Sequence, residues 1–171
     1  MERIGFGGSC HWCTEAIFLS LIGVQGVQQG WIASSDNPSA YSEAVLVDFD
    51  PEMIPLKTLV SVHLHTHSST SSHRMRNKYR SAVYSFGSAQ QVLALAIIQA
   101  LQQQFSETII TEVVAFGSFK LNKPEYLNYY YSDPAKPFCQ KIVNPKLQQL
   151  LKDFSEHVDQ DKLMHQTGSE K

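Results

Sequence analysis

"RIGFGGSCHWCTEAIFLSLIG", residues 3–23, carries the chain from one kind of secondary structure into another. Arg3 to Phe6 reads as a short strand, and Gly7 and Gly8 make a turn after it. From Cys10 to Leu21, residues Trp12, Ala16, Ile17, Leu19 and Leu21 fit an amphipathic helix, which Gly23 ends. Within that helix start stand Cys10 and Cys13, separated by a histidine and a tryptophan. The pair admits three readings: a redox couple, half of a metal site, or one nucleophile with a buried neighbour.

Outward from this stretch, Val24 to Ala33 reads as a strand and "SSDNPS" as a loop. Glu43 to Phe49 alternates, with Glu43, Val45, Val47 and Phe49 on one face and Ala44, Leu46 and Asp48 on the other. "DPEMIPLKTLVSVHL" reads as a turn and a helix, and Ser81 to Phe86 as a strand. Ser88 with Gln91 makes a capping-box pattern for a helix reaching about Phe105. Ile109 to Phe116 is expected as a strand, and Pro145 to His157 as a last helix with proline in its first turn. The order β-α-β-β-α-β-α-β predicts an α+β fold. Its first six elements match a ferredoxin-like α/β sandwich with a mixed, mostly antiparallel sheet, followed by a C-terminal coil and helix. One domain is expected over residues 1–158, with a polar, flexible tail over 159–171.

With 171 residues the chain is long enough to bury a sizeable core, and 43% hydrophobic and 18% charged residues are ordinary for a globular protein. A formal charge of −2 suggests neither a nucleic-acid nor a membrane partner. No segment approaches the ~18–20 apolar residues of a membrane span. "MERIGFGG" lacks an apolar h-region, and three cysteines make a poor disulfide framework. A cytoplasmic monomer with reactive thiols is expected.

Cys10 falls where the glycine turn delivers the chain into the helix. The first N–H groups of a helix carry partial positive charge, which favours a thiolate and raises its nucleophilicity. His11 would add to that if protonated. The competing reading of Cys10 is a buried, inert cysteine. Glu43 shares a face with Val45, Val47 and Phe49, where desolvation opposes ionisation of a carboxyl group. "HLHTH" (His63, His65, His67) and His73, with Cys10, His11 and Cys13, would offer ligands to zinc or iron. Their spacing matches no zinc-site pattern, so no metal is assigned. His63 and His65 are instead expected near a helix end, where imidazolium suits the dipole. The "GFGGS" glycines form no G-x-G-x-x-G, and the "YLNYYY" aromatics read as packing or pocket wall.

"GSCHWCTEAIF" resembles the G-C-F-W-x-x-E signature of the peptide methionine sulfoxide reductase A family, matching at Cys10, Trp12 and Glu15. Three further stretches resemble the family's motifs in order: "YSEAVLVDFDP", "NKYRSAVY", and "KPEYLNYYY" with "FCQKIVNPKL". The resemblance spans residues 3–151. It implies that Cys10 attacks the sulfur of methionine-S-sulfoxide, protein-bound or free. Glu43 is implied as the acid that protonates the sulfoxide oxygen, and Tyr79 as a second hydrogen-bond donor to it. His11, Trp12 and Trp31 are implied to line the substrate pocket. The sulfenic acid left on Cys10 then needs a thiol. Cys139 is implied as the resolving residue, because the family often keeps a cysteine in its C-terminal coil. Cys13 is its rival, a direct outside thiol the third possibility, and thioredoxin or a similar dithiol the implied reductant.

Several positions depart from the family. His11 stands where it has phenylalanine, Cys13 where it usually has glycine, Trp31 where it has a tyrosine, and Arg74 where it has an aspartate. Indole N–H donates one hydrogen bond but cannot exchange a proton as a phenol can. A redox- or metal-sensing or interaction protein that kept the fold without sulfoxide turnover is the alternative.

Overall fold

The computed structural model of the chain describes residues 1–72, 74–128, 144–159 and 161. His73, Tyr129–Tyr131, Cys139 and nearly all of the 159–171 tail lie outside the described residues. The strands are β1 (Glu2–Gly7), β2 (Val24–Ser34), β3 (Ser42–Phe49), β4 (Ala82–Ser85) and β5 (Glu112–Leu121). The helices are α1 (His11–Leu19), α2 (Leu56–Thr66), α3 (Ser88–Leu101) and α4 (Asn144–Phe154).

β4, β1, β3 and β2 lie side by side in that order, every neighbour antiparallel, which is the arrangement expected of the first six elements. β5 adds what the sequence reading lacks. Its first half runs parallel to β4, from Ala82↔Glu112 to Ser85↔Ala115. Its second half runs antiparallel to β2, from Ser34↔Phe116 to Gly30↔Leu121. One strand therefore pairs with both edges, and the sheet closes on itself. Closure satisfies the backbone groups that two open edges would leave unpaired.

Closure also explains why β3 is buried on both faces. Val45, Val47 and Phe49 meet Ile17, Phe18, Leu59 and Leu64 of the helices, whereas Ala44 and Leu46 fill the closed sheet with Ile32, Ala82 and Tyr84. Gly30 permits the crossing of β2 and β5, because a Cβ there would stand 1.9 Å from the Lys120 carbonyl oxygen. Gly30→Ala is expected to destabilise the fold by about 1–3 kcal/mol, since backbone must move to admit the methyl group. An unchanged urea midpoint would show that β5 yields freely.

Three local expectations are corrected. Gly87, with φ +110, occupies the N-cap of α3, and Gln91 N–H bonds to its carbonyl. Ser88 is thereby the first helical residue and its capping box does not form. The helix ends at Leu101, with a 3-10 turn over Gln102–Gln104, and Phe105 stacks on His65 instead of extending it. The last strand begins at Glu112, because Ile109 and Ile110 donate to Gln102 Oε1 and the Ser69 carbonyl rather than to a ladder.

Candidate active site

Register assembles the site before any side chain is considered. Glu43 of β3 faces Trp31 of β2, and Trp31 faces Lys120 of β5. Paired residues share a face, so the three form a row on the side of the sheet that α1 covers. Gly7 at the end of β1 pairs with Ala44, so the glycine turn lifts the chain over this row and delivers Cys10 to the start of α1.

Cys10 is the N-cap residue of α1, and its carbonyl accepts from Cys13 and Thr14 N–H. Its thiol is half-buried. The pKa of the thiol is lowered, chiefly by a hydrogen bond from the Cys13 thiol and also by the main-chain N–H groups of Trp12 and Cys13. Burial and the charge of Glu43 act in the opposite direction. Cys13 is fully buried, and neither cysteine is in a disulfide in this structure.

Glu43 lies on the Val45 face and is nearly buried. Its Oε1 accepts from His11 N–H at 3.3 Å and lies 3.5 Å from His11 Nε2. Its Oε2 lies 3.6 Å from Lys78 Nζ. The Lys78 ammonium also sits 5.2 Å from the Tyr79 ring centroid, and contact with Tyr79 and Glu43 raises its pKa. Lys78 thus joins Glu43 to Tyr79, while Glu43 N–H donates to the Lys78 carbonyl at 2.9 Å.

His11 is the end of a buried polar chain. Asn122 Oδ1 accepts Lys123 N–H, so its amide nitrogen faces Gln29 Oε1 (2.7 Å) and His11 Nε2 (3.2 Å). Gln29 in turn donates to Glu15 Oε1 and the Tyr126 carbonyl. His11 Nε2 is therefore an acceptor, and Nδ1–H donates to the Gly30 carbonyl at 3.0 Å. Burial pushes the imidazole pKa down, which works against the protonation that would let His11 add positive charge beside Cys10. With both nitrogens engaged, the ring acts as a wall, edge-on to Trp31 at 5.2 Å and 5.9 Å from Trp12.

His11, Trp12 and Trp31, the three pocket residues expected from the sequence, line one cleft of about 560 Å³. Lys120, Leu121, Asn122, Lys123 and Tyr126 complete it, and the Tyr126 ring lies 5.7 Å from Trp12. Lys78, Gln29, Asn122 and Lys120 were not singled out by the sequence reading. Gln29 had a signal, a polar residue in period two with Val27 and Trp31 on a buried face.

The "HLHTH" stretch supports the Cys10 loop. Among the described residues, no three His, Cys, Asp or Glu side chains cluster to hold a metal ion. His63 Nε2–H donates to the Gly7 carbonyl at 2.7 Å, and Arg76 donates to the carbonyls of Gly8, Ser71 and Tyr79. His67 packs under Gly8, where a Cβ would meet its ring at 2.5 Å. His63 and His65 stand in the last turn of α2 as expected, but burial pushes the His63 pKa down to about 4, so it is neutral there rather than an imidazolium.

A strand and a glycine turn thus set a helix-capping thiol near a buried carboxyl group, and the cleft lined by His11, Trp12 and Trp31 has none of Cys10, Glu43 and Tyr79 on its described lining. Residues 2–159 match the sequence profile of the family described as Peptide methionine sulfoxide reductase. Peptide methionine sulfoxide reductase MsrA of Trichodesmium erythraeum is 32% identical over 174 residues, covering 92% of this chain and 98% of the relative. The chain belongs to the peptide methionine sulfoxide reductase family. Methionine sulfoxide reductase A of Corynebacterium diphtheriae shares the fold, with a TM-score of 0.69 at 23% identity over 78% of this chain and 75% of that one. Mxr1 from Saccharomyces cerevisiae in complex with Trx2 superposes with a TM-score of 0.58 at 16% identity, over 75% of this chain and 84% of that one.

Proposed function

We propose that the chain is a thiol-dependent reductase of methionine-S-sulfoxide, protein-bound or free, with Cys10 as nucleophile. The observation that carries this reading is the placement of Cys10 at the N-cap of α1 with Glu43 buried nearby, and the lowered pKa of its thiol agrees with it. The thiolate attacks the sulfoxide sulfur, and Glu43 gives one proton to the oxygen. The thiolate, the sulfoxide and that proton become a Cys10 sulfenic acid and methionine. Sulfur of the substrate gains the two electrons that Cys10 sulfur loses, and Glu43 is left as a carboxylate. Tyr79 serves as a second donor to the oxygen, linked to Glu43 through Lys78. Trp12, Trp31 and the face of His11 form the apolar wall against the substrate methyl group.

Cys139 is the proposed resolving thiol: it displaces water from the sulfenic acid to form a disulfide, which thioredoxin or a similar dithiol reduces. The burial of Cys13 sets it back as a rival. The chain works as a monomer without a bound cofactor in a reducing compartment such as the cytoplasm, which suits free thiols. No described helix is long and apolar enough to cross a membrane.

A stoichiometric assay tests the reading. Reduced protein without added thiol should convert at least one equivalent of methionine-S-sulfoxide and lose thiols in step. Cys139→Ser should keep the first turnover and block thioredoxin-supported cycling. No conversion of free, peptide or small-molecule sulfoxides would refute the function; unimpaired cycling would discard Cys139.

A further inference from the structure

We propose that the reductase selects methionine sulfoxide flanked by a carboxylate, which docks on Lys120 and Lys123 at the mouth of the cleft. The inference rests on the proposed function and names the substrate class of that same site. The row Glu43–Trp31–Lys120 places a cation one strand away from the aromatic wall. Lys120 is held there, its ammonium 4.2 Å from the Tyr41 ring centroid, with Tyr41 bonded to Ser118 at 2.7 Å. Lys123 follows at the turn whose main chain is tied to the buried Asn122. Both lysines line the cleft, both are exposed, and among the described residues neither lies in an ion pair.

Among the described residues, no acidic side chain lines the cleft. Lys78 is committed to Glu43, and Glu125 sits on the adjoining turn but not on the lining. The cleft therefore presents an apolar aromatic floor with a cationic rim on a chain whose net charge is −2. At about 560 Å³ it holds a methionine sulfoxide side chain with part of a neighbouring residue. A carboxylate beside the sulfoxide meets two ammonium groups that, among the described residues, have no acidic partner, whereas a flanking lysine or arginine meets like charge.

The test compares peptides carrying methionine sulfoxide between two aspartates, two alanines or two lysines, with free methionine sulfoxide and its N-acetyl amide as further substrates. Two exposed charge pairs predict kcat/KM about three- to tenfold higher for the aspartate than for the lysine peptide, falling toward unity in 0.5 M salt. Lys120→Glu with Lys123→Glu should invert the ratio. Preference for the free amino acid over the amide, without preference among peptides, would assign the rim to the substrate's own carboxylate and overturn the flanking-residue proposal. A ratio within twofold of one, or one that survives both substitutions, overturns it as well. Peptide affinity for Cys10→Ser, read by Trp12 and Trp31 fluorescence, gives the same ratio without turnover. Failure of the catalytic reading is thereby separated from failure of this one.

Discussion

Cys10→Ser is expected to reduce sulfoxide turnover to background, a loss of about a thousandfold or more, while the protein stays folded. The reaction needs an atom that can give up two electrons and keep the substrate's oxygen as a sulfenic acid. A serine oxygen cannot be oxidised in that way, and its hydroxyl does not ionise near neutral pH. The fold should tolerate the change, because Cys10 is the N-cap of α1, where serine is a preferred residue. Its hydroxyl can accept from the N–H groups of Trp12 or Cys13, so stability is kept or raised by up to about 1 kcal/mol. Loss of activity together with an equal or higher Tm separates chemistry from folding. Residual turnover above a few per cent would remove Cys10 from the mechanism.

Acid should weaken the fold through the histidines beneath the Cys10 loop. His63 and His67 stack at 4.2 Å between ring centroids, and burial pushes both pKa values down. The charges of Arg76 and Lys146 add to the effect on both, and His63 adds to that on His67. With His63 near 4 when folded and about 6.5 when unfolded, the unfolded chain binds more protons between those values. The stability linked to neutral His63 is present above pH 6.5 and lost as pH falls toward 4. That gap corresponds to about 3 kcal/mol, and His67 acts in the same direction. Urea midpoints should fall between pH 7 and pH 4.5, less steeply in His63→Gln. Activity should fall with them, since His63 holds the Gly7 carbonyl and Arg76 that of Gly8. A midpoint flat across that range would contradict the burial of the pair.

The element order was legible because each element carries its own period. Residues 43–49 alternate and form β3, and the glycine turn before Cys10 opens α1 as expected. Ends of elements were less legible. Gly87 took the cap from Ser88 because the chain enters α3 at positive φ, and backbone donors at Ile109 and Ile110 were claimed by a distant loop and a glutamine. Cys10, the Glu43 face and the His11–Trp12–Trp31 wall were also legible, from the helix start, the alternation and the family resemblance.

By itself, then, "GSCHWC" determined which residue stands at the helix N-terminus, and local geometry was enough for that. Only the tertiary structure decided what surrounds it. Closure by β5 set Lys120 beside Trp31, and the Asn122–Gln29 chain made His11 a neutral acceptor. The same folding turned "HLHTH" from candidate ligands into a floor for the Cys10 loop. These partners lie tens of residues apart in sequence and meet through strand register and burial, which no local pattern encodes.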